Sequence, residues 1–166
     1  MNKKLTRTLF AGMVLLASST AWAETHVKYD KPDEFTDLPF DQTKRESVLK
    51  DLTAHFEKLG QSLPSGQNLQ ISVTDIDLAG REEPRLRGIN DIRIMNGRVD
   101  WPRMRLHYVL SQQDGKVINS SDATLSDMSY MSRINRYAND DPLRYEKLMI
   151  DDWFSSTFGV KVVLTR

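Results

Sequence analysis

Two stretches of this chain alternate apolar and polar residues closely enough to read as strands with one dry face and one wet face. Leu69, Ile71 and Val73 alternate with Gln70, Ser72 and Thr74. Met104, Leu106, Tyr108 and Leu110 alternate with Arg103, Arg105 and His107. Successive strand side chains point to opposite faces, so each stretch buries one side only. A one-sided sheet must be covered on that side, and the sequence offers two helices to do it. Val48, Leu49, Leu52, Phe56 and Leu59 form an apolar stripe at helical spacing, with Thr43 and Glu46 spaced as a capping box and Gly60 as a C-terminal cap. Asp141 and Pro142 read as an N-cap followed by proline at the first helical position. Leu143, Tyr145, Leu148, Met149, Trp153, Phe154 and Phe158 then give a wide apolar face that ends at Gly159. These elements predict an α+β fold: a mostly antiparallel sheet with helices packed on one face.

The remaining elements are shorter. His26 to Tyr29 is a strand candidate. The Leu69 strand runs to about Asp75, after a turn at Pro64-Ser65-Gly66. Gly80 to Gly88 is polar and Arg-rich and reads as a loop. Asp91 to Met95 reads as a strand closed by the turn pair Asn96-Gly97. Asp114-Gly115 folds the Met104 strand back into Val117 to Ser120 or beyond, a hairpin, and local hairpins favour antiparallel pairing. Asp127 could cap a short helix through about Arg136, and Val160 to Leu164 reads as a last strand.

The N-terminus reads as an export signal rather than as part of the fold. Lys3, Lys4 and Arg7 precede an apolar run from Thr8 to Thr20, and Ala21-Trp22-Ala23 is a small-x-small cleavage site. The run is too short for a stable bilayer-spanning helix. The expected organisation is a signal peptide over residues 1–23 and one domain over residues 24–166, located in the periplasm, with secretion beyond the cell as second choice. The chain has no cysteine, so its core must hold it without disulfides, and thiolate chemistry is closed. Residues 1–23 remove three of the 23 basic residues and none of the 23 acidic ones, so the remainder is acidic by three charges. That argues against nucleic acid as a partner. Arginine is nevertheless concentrated at Arg81, Arg85, Arg87, Arg93, Arg98, Arg103 and Arg105. With Trp101, this segment is either a salt-laced surface or a patch that meets an envelope protein or an anionic envelope component.

The stretch "VTDIDLAG", Val73 to Gly80, breaks the pattern, because strict alternation would put Asp75 and Asp77 on the buried face. One reading is a cation site. Asp75, Asp77 and Gly80 match positions one, three and six of a calcium loop, but Ala79 and Leu86 stand where oxygen ligands belong. The other is a bulge near Thr74 that flips the phase. Ile76 and Leu78 then turn inward, and the aspartates turn out toward backbone N–H groups or arginines. His26, His55 and His107 are far apart, and His55 is expected to pair locally with Asp51 one turn away. Glu146, Asp151 and Asp152 are expected to be solvated charges on the last helix. No nucleophile elbow, zincin helix, phosphate loop or dinucleotide fingerprint is present. No catalytic residue and no cofactor are assigned. The ligand-binding candidates are Asp75, Asp77, Arg85, Arg87, Arg98, Trp101 and Arg103, with Asp75 and Asp77 as weak metal candidates.

Five stretches, "DEFTD", "LPSGQNLQISVTDIDLAGREEP", "WPRMRLHYVL", "LSDMSYM" and "YEKLMIDDWF", together resemble the bacterial exported family called domain of unknown function 3016. The resemblance implies a small exported protein and assigns no activity, cofactor or partner. It implies that Asp75, Asp77, Leu78, Gly80, Pro102, Arg103, Asp127, Tyr130, Glu146, Trp153 and Phe154 belong to a family pattern. The first functional reading is a non-catalytic binding or assembly module of the cell envelope. The alternative is a metal-binding protein or metal-dependent hydrolase that joins Asp75 and Asp77 to Asp127 or Asp151.

Overall fold

The computed structural model describes residues 23–83 and 92–161, so the expected signal peptide (but for Ala23), Arg85 and Arg87 lie outside the described residues. The chain runs β1 (Glu24–Tyr29), α1 (Gln42–Gly60), β2 (Gln67–Asp77), β3 (Arg81–Glu83), β4 (Ile92–Ile94), β5 (Arg103–Gln112), β6 (Val117–Ser126) and α2 (Arg144–Phe158). A single 3₁₀ turn at Pro32–Glu34 follows β1. The main sheet has four strands in the order β1-β2-β5-β6, and β3 and β4 form a separate antiparallel ribbon.

The fold is α+β, as the sequence predicts, with antiparallel β2/β5 and β5/β6 pairs. The β1/β2 pair is parallel instead. Its connection is α1 rather than a tight turn, and a helical crossover returns the chain to the end of the sheet from which β1 started. Leu69, Ile71 and Val73 of β2 and Met104, Leu106 and Tyr108 of β5 form one core cluster with Leu52, Phe56 and Leu59 of α1 and Met149, Ile150 and Phe154 of α2. The opposite face of the sheet keeps Gln70, Thr74, Arg103 and Arg105 in solvent. Burying a large apolar side chain stabilises by roughly 1.5–3 kcal/mol, so this one layer supplies most of the driving force.

Several local expectations shift. The N-cap of α1 is Asp41, whose carboxylate accepts from the Lys44 N–H at 2.9 Å, and not Thr43. Gly60 is the last helical residue and not the cap; it is there because β1 lies against it. A Cβ built on Gly60 would sit 1.8 Å from Thr25 Oγ1. α2 begins at Arg144, two residues after Pro142, while Asp141 accepts from the Leu143 N–H in the preceding turn. Arg81 to Glu83, expected in a loop, pair with β4. The segment after Asp127 is a run of turns and not a helix: Asp127 accepts from the Ser129 N–H as a cap would, but only turns follow, and its second oxygen pairs with Arg133. Val160 and Lys161 are not in a strand, and the rest of that expected element lies outside the described residues.

The register of β2 against β5 shifts between Val73 and Asp75. Thr74 is the extra residue of a bulge, and the side-chain phase reverses there. Ile76 and Leu78 are therefore buried at 0% and 3% exposure, while Asp75 and Asp77 face the wet side.

Candidate functional site

The end of that strand builds a site. Beyond the bulge, Ala79 is buried, and both of its peptide groups are held by side chains from elsewhere. Its N–H donates to Glu146 Oε1 at 2.7 Å, and its carbonyl accepts from Arg93 Nη1 at 3.1 Å. Gly80 follows with φ of +80° and a virtual Cβ only 2.4 Å from the Ile94 carbonyl oxygen, so no larger residue lets β4 come this close. That close approach sets Arg93 of β4 beside Ala79. Arg93 Nη1 also donates to Asp37 Oδ2 at 2.7 Å.

Each of the two side chains that hold Ala79 keeps one buried polar atom, Arg93 Nη2 and Glu146 Oε2, that has no hydrogen-bond partner among the described residues. Both residues line a cleft of about 450 Å³ between α1, the β3/β4 ribbon and the first turn of α2. Its apolar lining comes from Val48, Leu78, Met95, Leu143 and Tyr145, and the exposed residues Ser47, Asp51, Asn139 and Pro142 mark its mouth. Pockets of this size and makeup, mostly apolar with a few convergent polar atoms, are the usual form of a small-ligand site. Burial pushes the Glu146 carboxyl above the ordinary glutamate range, against the pull of the Ala79 N–H and the Arg93 charge.

A second buried polar cluster lies outside the cleft. His55 Nε2 is 2.9 Å from Asp151 Oδ1, and Asp151 Oδ2 accepts from the Tyr137 hydroxyl at 2.6 Å and from Arg136 Nε at 3.1 Å. Asp151 is thus not the solvated charge expected, and His55 pairs across 96 residues of sequence rather than with Asp51. Burial, then the bond to Asp151, pushes the Tyr137 hydroxyl well above the ordinary tyrosine range. His55 and Asp151 are only 6% and 0% exposed, while Arg136 reaches solvent, and the cluster ties α1, α2 and the 128–143 turns together. Glu146 was likewise expected in solvent and is buried at 2% exposure.

The residues singled out in the sequence sit mainly on the wet face of the sheet. Asp75 accepts from the Thr36 N–H and hydroxyl and pairs with Arg105 at 3.0 Å. Asp77 pairs with Arg103 at 2.7 Å, and burial ahead of that pairing leaves its carboxyl above the usual range. The Arg103 guanidinium lies 5.2 Å from the Trp101 ring centre. The Arg98 N–H donates to Asp100 Oδ1 at 3.0 Å. Arg81 and Arg93 also meet carboxylates, those of Glu83 and Asp37. Among the described residues, the charges of Arg81, Arg93, Arg103 and Arg105 are therefore locally matched. Asp127 bonds Arg133, Asp151 is enclosed with His55, and among the described residues no three His, Cys, Asp or Glu side chains gather to share an ion.

A family model described as a protein of unknown function, DUF3016, matches residues 23–156. Among solved structures, a minor lipoprotein from Acinetobacter baumannii is similar at 12% identity, with 83% of this chain and 91% of that chain covered and a TM-score of 0.23. No curated protein matches the chain.

Proposed function

This chain belongs to the DUF3016 family of proteins of unknown function, and from that premise we propose that it is an exported, non-catalytic binding module of the cell envelope that takes a small ligand in the cleft beside Ala79. The observation that carries this reading is the mostly apolar cleft of about 450 Å³ onto which Arg93 and Glu146, the two side chains that hold Ala79, both border. Export to the periplasm rests on the basic, apolar and small-x-small pattern of residues 1–23. No helix among the described residues is long and apolar enough to cross a membrane.

Ligand-observed NMR on the purified chain with a library of small anionic, cationic and neutral amphiphiles tests the binding reading. Ser47 is exposed at the cleft mouth, so Ser47→Trp should obstruct the cleft and leave the fold intact. Binders whose saturation-transfer signals vanish in Ser47→Trp are the expected result. A library without binders, or binders indifferent to Ser47→Trp, removes the cleft as the site.

A further inference from the structure

We infer that the loop tips at one end of the main sheet dock this molecule on the surface of an anionic phospholipid bilayer. The inference is independent of the cleft reading above. Strands β1, β2 and β6 run in one direction and β5 in the other. The connection after β1, the segment before β5 and the turns after β6 therefore gather at one end of the sheet. Among the described residues seven large apolar side chains are exposed, and five of them lie on these three connections: Phe40, Val99, Met128, Met131 and Ile134. The other two, Val117 and Ile118, open β6 at the opposite end. Exposed apolar residues scattered singly need no explanation, but a set gathered at one end marks an interaction surface.

The tips are braced from below. The Gly97 N–H donates to the Tyr130 hydroxyl at 3.2 Å, and that hydroxyl donates to Asp100 Oδ1 at 3.0 Å. A Cβ built on Gly97 would sit 3.0 Å from Met131 Sδ, so the Val99 turn and the Met131 turn touch. Pro39 and Asn139 border the same cleft, which brings Phe40 to the other side of the 128–143 turns. Charge on these loops is arranged with arginine outermost. Arg98 is exposed, and its guanidinium meets no carboxylate among the described residues. Arg133 and Arg136 stay partly exposed, whereas their partners Asp127 and Asp151 are buried. Asp41, Asp100 and Asp141 accept from backbone N–H groups, and Asp33 and Glu34 pair with Arg45 and Lys31. Asp140 and Asp152, the latter paired with Arg133, are the exposed acids beside them. Arginines set next to apolar tips suit lipid phosphate.

The shape of the surface favours lipid over protein. The five side chains come from three separate connections and stand among polar neighbours: Phe40 precedes Asp41, Val99 lies between Arg98 and Asp100, and Ile134 between Arg133 and Asn135. They form points rather than one smooth patch. A rigid partner would need a pocket matched to each point, and a fluid interface needs none.

The test is vesicle flotation with the chain from Glu24 on, which holds every described element and lacks the apolar run of residues 8–20 that would itself enter lipid. One set of vesicles is three parts phosphatidylcholine to one part phosphatidylglycerol, and the other is phosphatidylcholine alone. The chain should partition into the mixed vesicles and more weakly into the neutral ones. Phe40 and Ile134 are 97% and 93% exposed, so the double variant Phe40→Ser/Ile134→Ser keeps the fold. It should lower partition about tenfold or more. Arg98→Ser should lower it about fivefold in the mixed vesicles and leave the neutral ones unchanged. Val117→Ser/Ile118→Ser, at the opposite end, should stay within about twofold of the parent. Equal partition into both vesicles overturns the anionic surface. Partition that survives Phe40→Ser/Ile134→Ser, or is lost in Val117→Ser/Ile118→Ser, overturns the placement. No partition into either vesicle overturns the inference outright. If the chain then self-associates by light scattering and Phe40→Ser/Ile134→Ser abolishes this, the tips meet a second copy and lipid is rejected.

Discussion

At the scale of single residues, Glu146 is the side chain with the clearest consequence. Its carboxyl is buried, with only one oxygen bonded, and its proton is held more tightly in the folded chain than in the unfolded one. The folded state therefore binds more protons than the unfolded state above the ordinary glutamate value of about 4.3, and Glu146's contribution to stability falls as pH rises from there. Glu146→Gln cannot ionise. Its thermal midpoint should be close to that of the parent near pH 4 and should gain on the parent as pH rises to 7; a difference that stays flat with pH would refute the assignment. This residue was partly legible in the sequence. Glu146 lies three residues after Leu143, three before Met149 and four before Ile150, so it stands inside the apolar stripe of α2. The same reading applies to His55, three residues after Leu52 and four before Leu59. What the spacing does not carry is the partner. Ala79 is 67 residues from Glu146, and Asp151 is 96 from His55. Helical spacing reports which face a residue is on and says nothing of what the tertiary fold brings to that face.

At the scale of elements, the contact between β1 and α1 rests on a missing side chain. Gly60 closes the helix in a position where alanine would be the better helix former by about 1 kcal/mol. Yet a Cβ there would lie 1.8 Å from Thr25 Oγ1 and 2.9 Å from Thr25 Cβ, so α1 and β1 would have to part. Overpacking of this kind costs about 1–3 kcal/mol. Gly60→Ala should lower stability by a net of up to about 2 kcal/mol, read as a lower urea midpoint; a raised midpoint would show that the two elements can separate freely. The sequence marks Gly60 as an end of helix, which it is, but for a different reason. A glycine demanded by a neighbour in space and a glycine demanded by a left-handed cap look the same in a string of letters. The hairpin at Asp114-Gly115 shows the opposite case: its turn is local, Gly115 has φ of +86°, and the letters alone placed it.

At the scale of the whole molecule, one core cluster joins both helices to strands of the main sheet, and a smaller one of Ala79, Tyr130 and Tyr145 gathers Met95 and Trp101. Ala79 and Tyr145 flank residues of the larger cluster, Leu78 and Leu143, so the two should melt together. Far-UV circular dichroism, and tryptophan fluorescence reporting Trp153 in one cluster and Trp101 in the other, should give superimposable urea transitions. An earlier fluorescence transition would show that the smaller cluster opens alone. The layer arrangement was legible because one-sided strands and amphipathic helices leave few ways to close a core. The parallel β1/β2 pair was not, because strand direction depends on how the chain returns and leaves no trace in either strand's own pattern. The bulge at Thr74 bears on more than the site. In a one-sided strand, losing a residue ordinarily exchanges the two faces of everything downstream. Thr74 is already supernumerary, so its loss would leave Val73, Ile76 and Leu78 all facing inward. For a lineage sampling insertions and deletions, β2 thus carries one silent joint in an otherwise unforgiving reading frame.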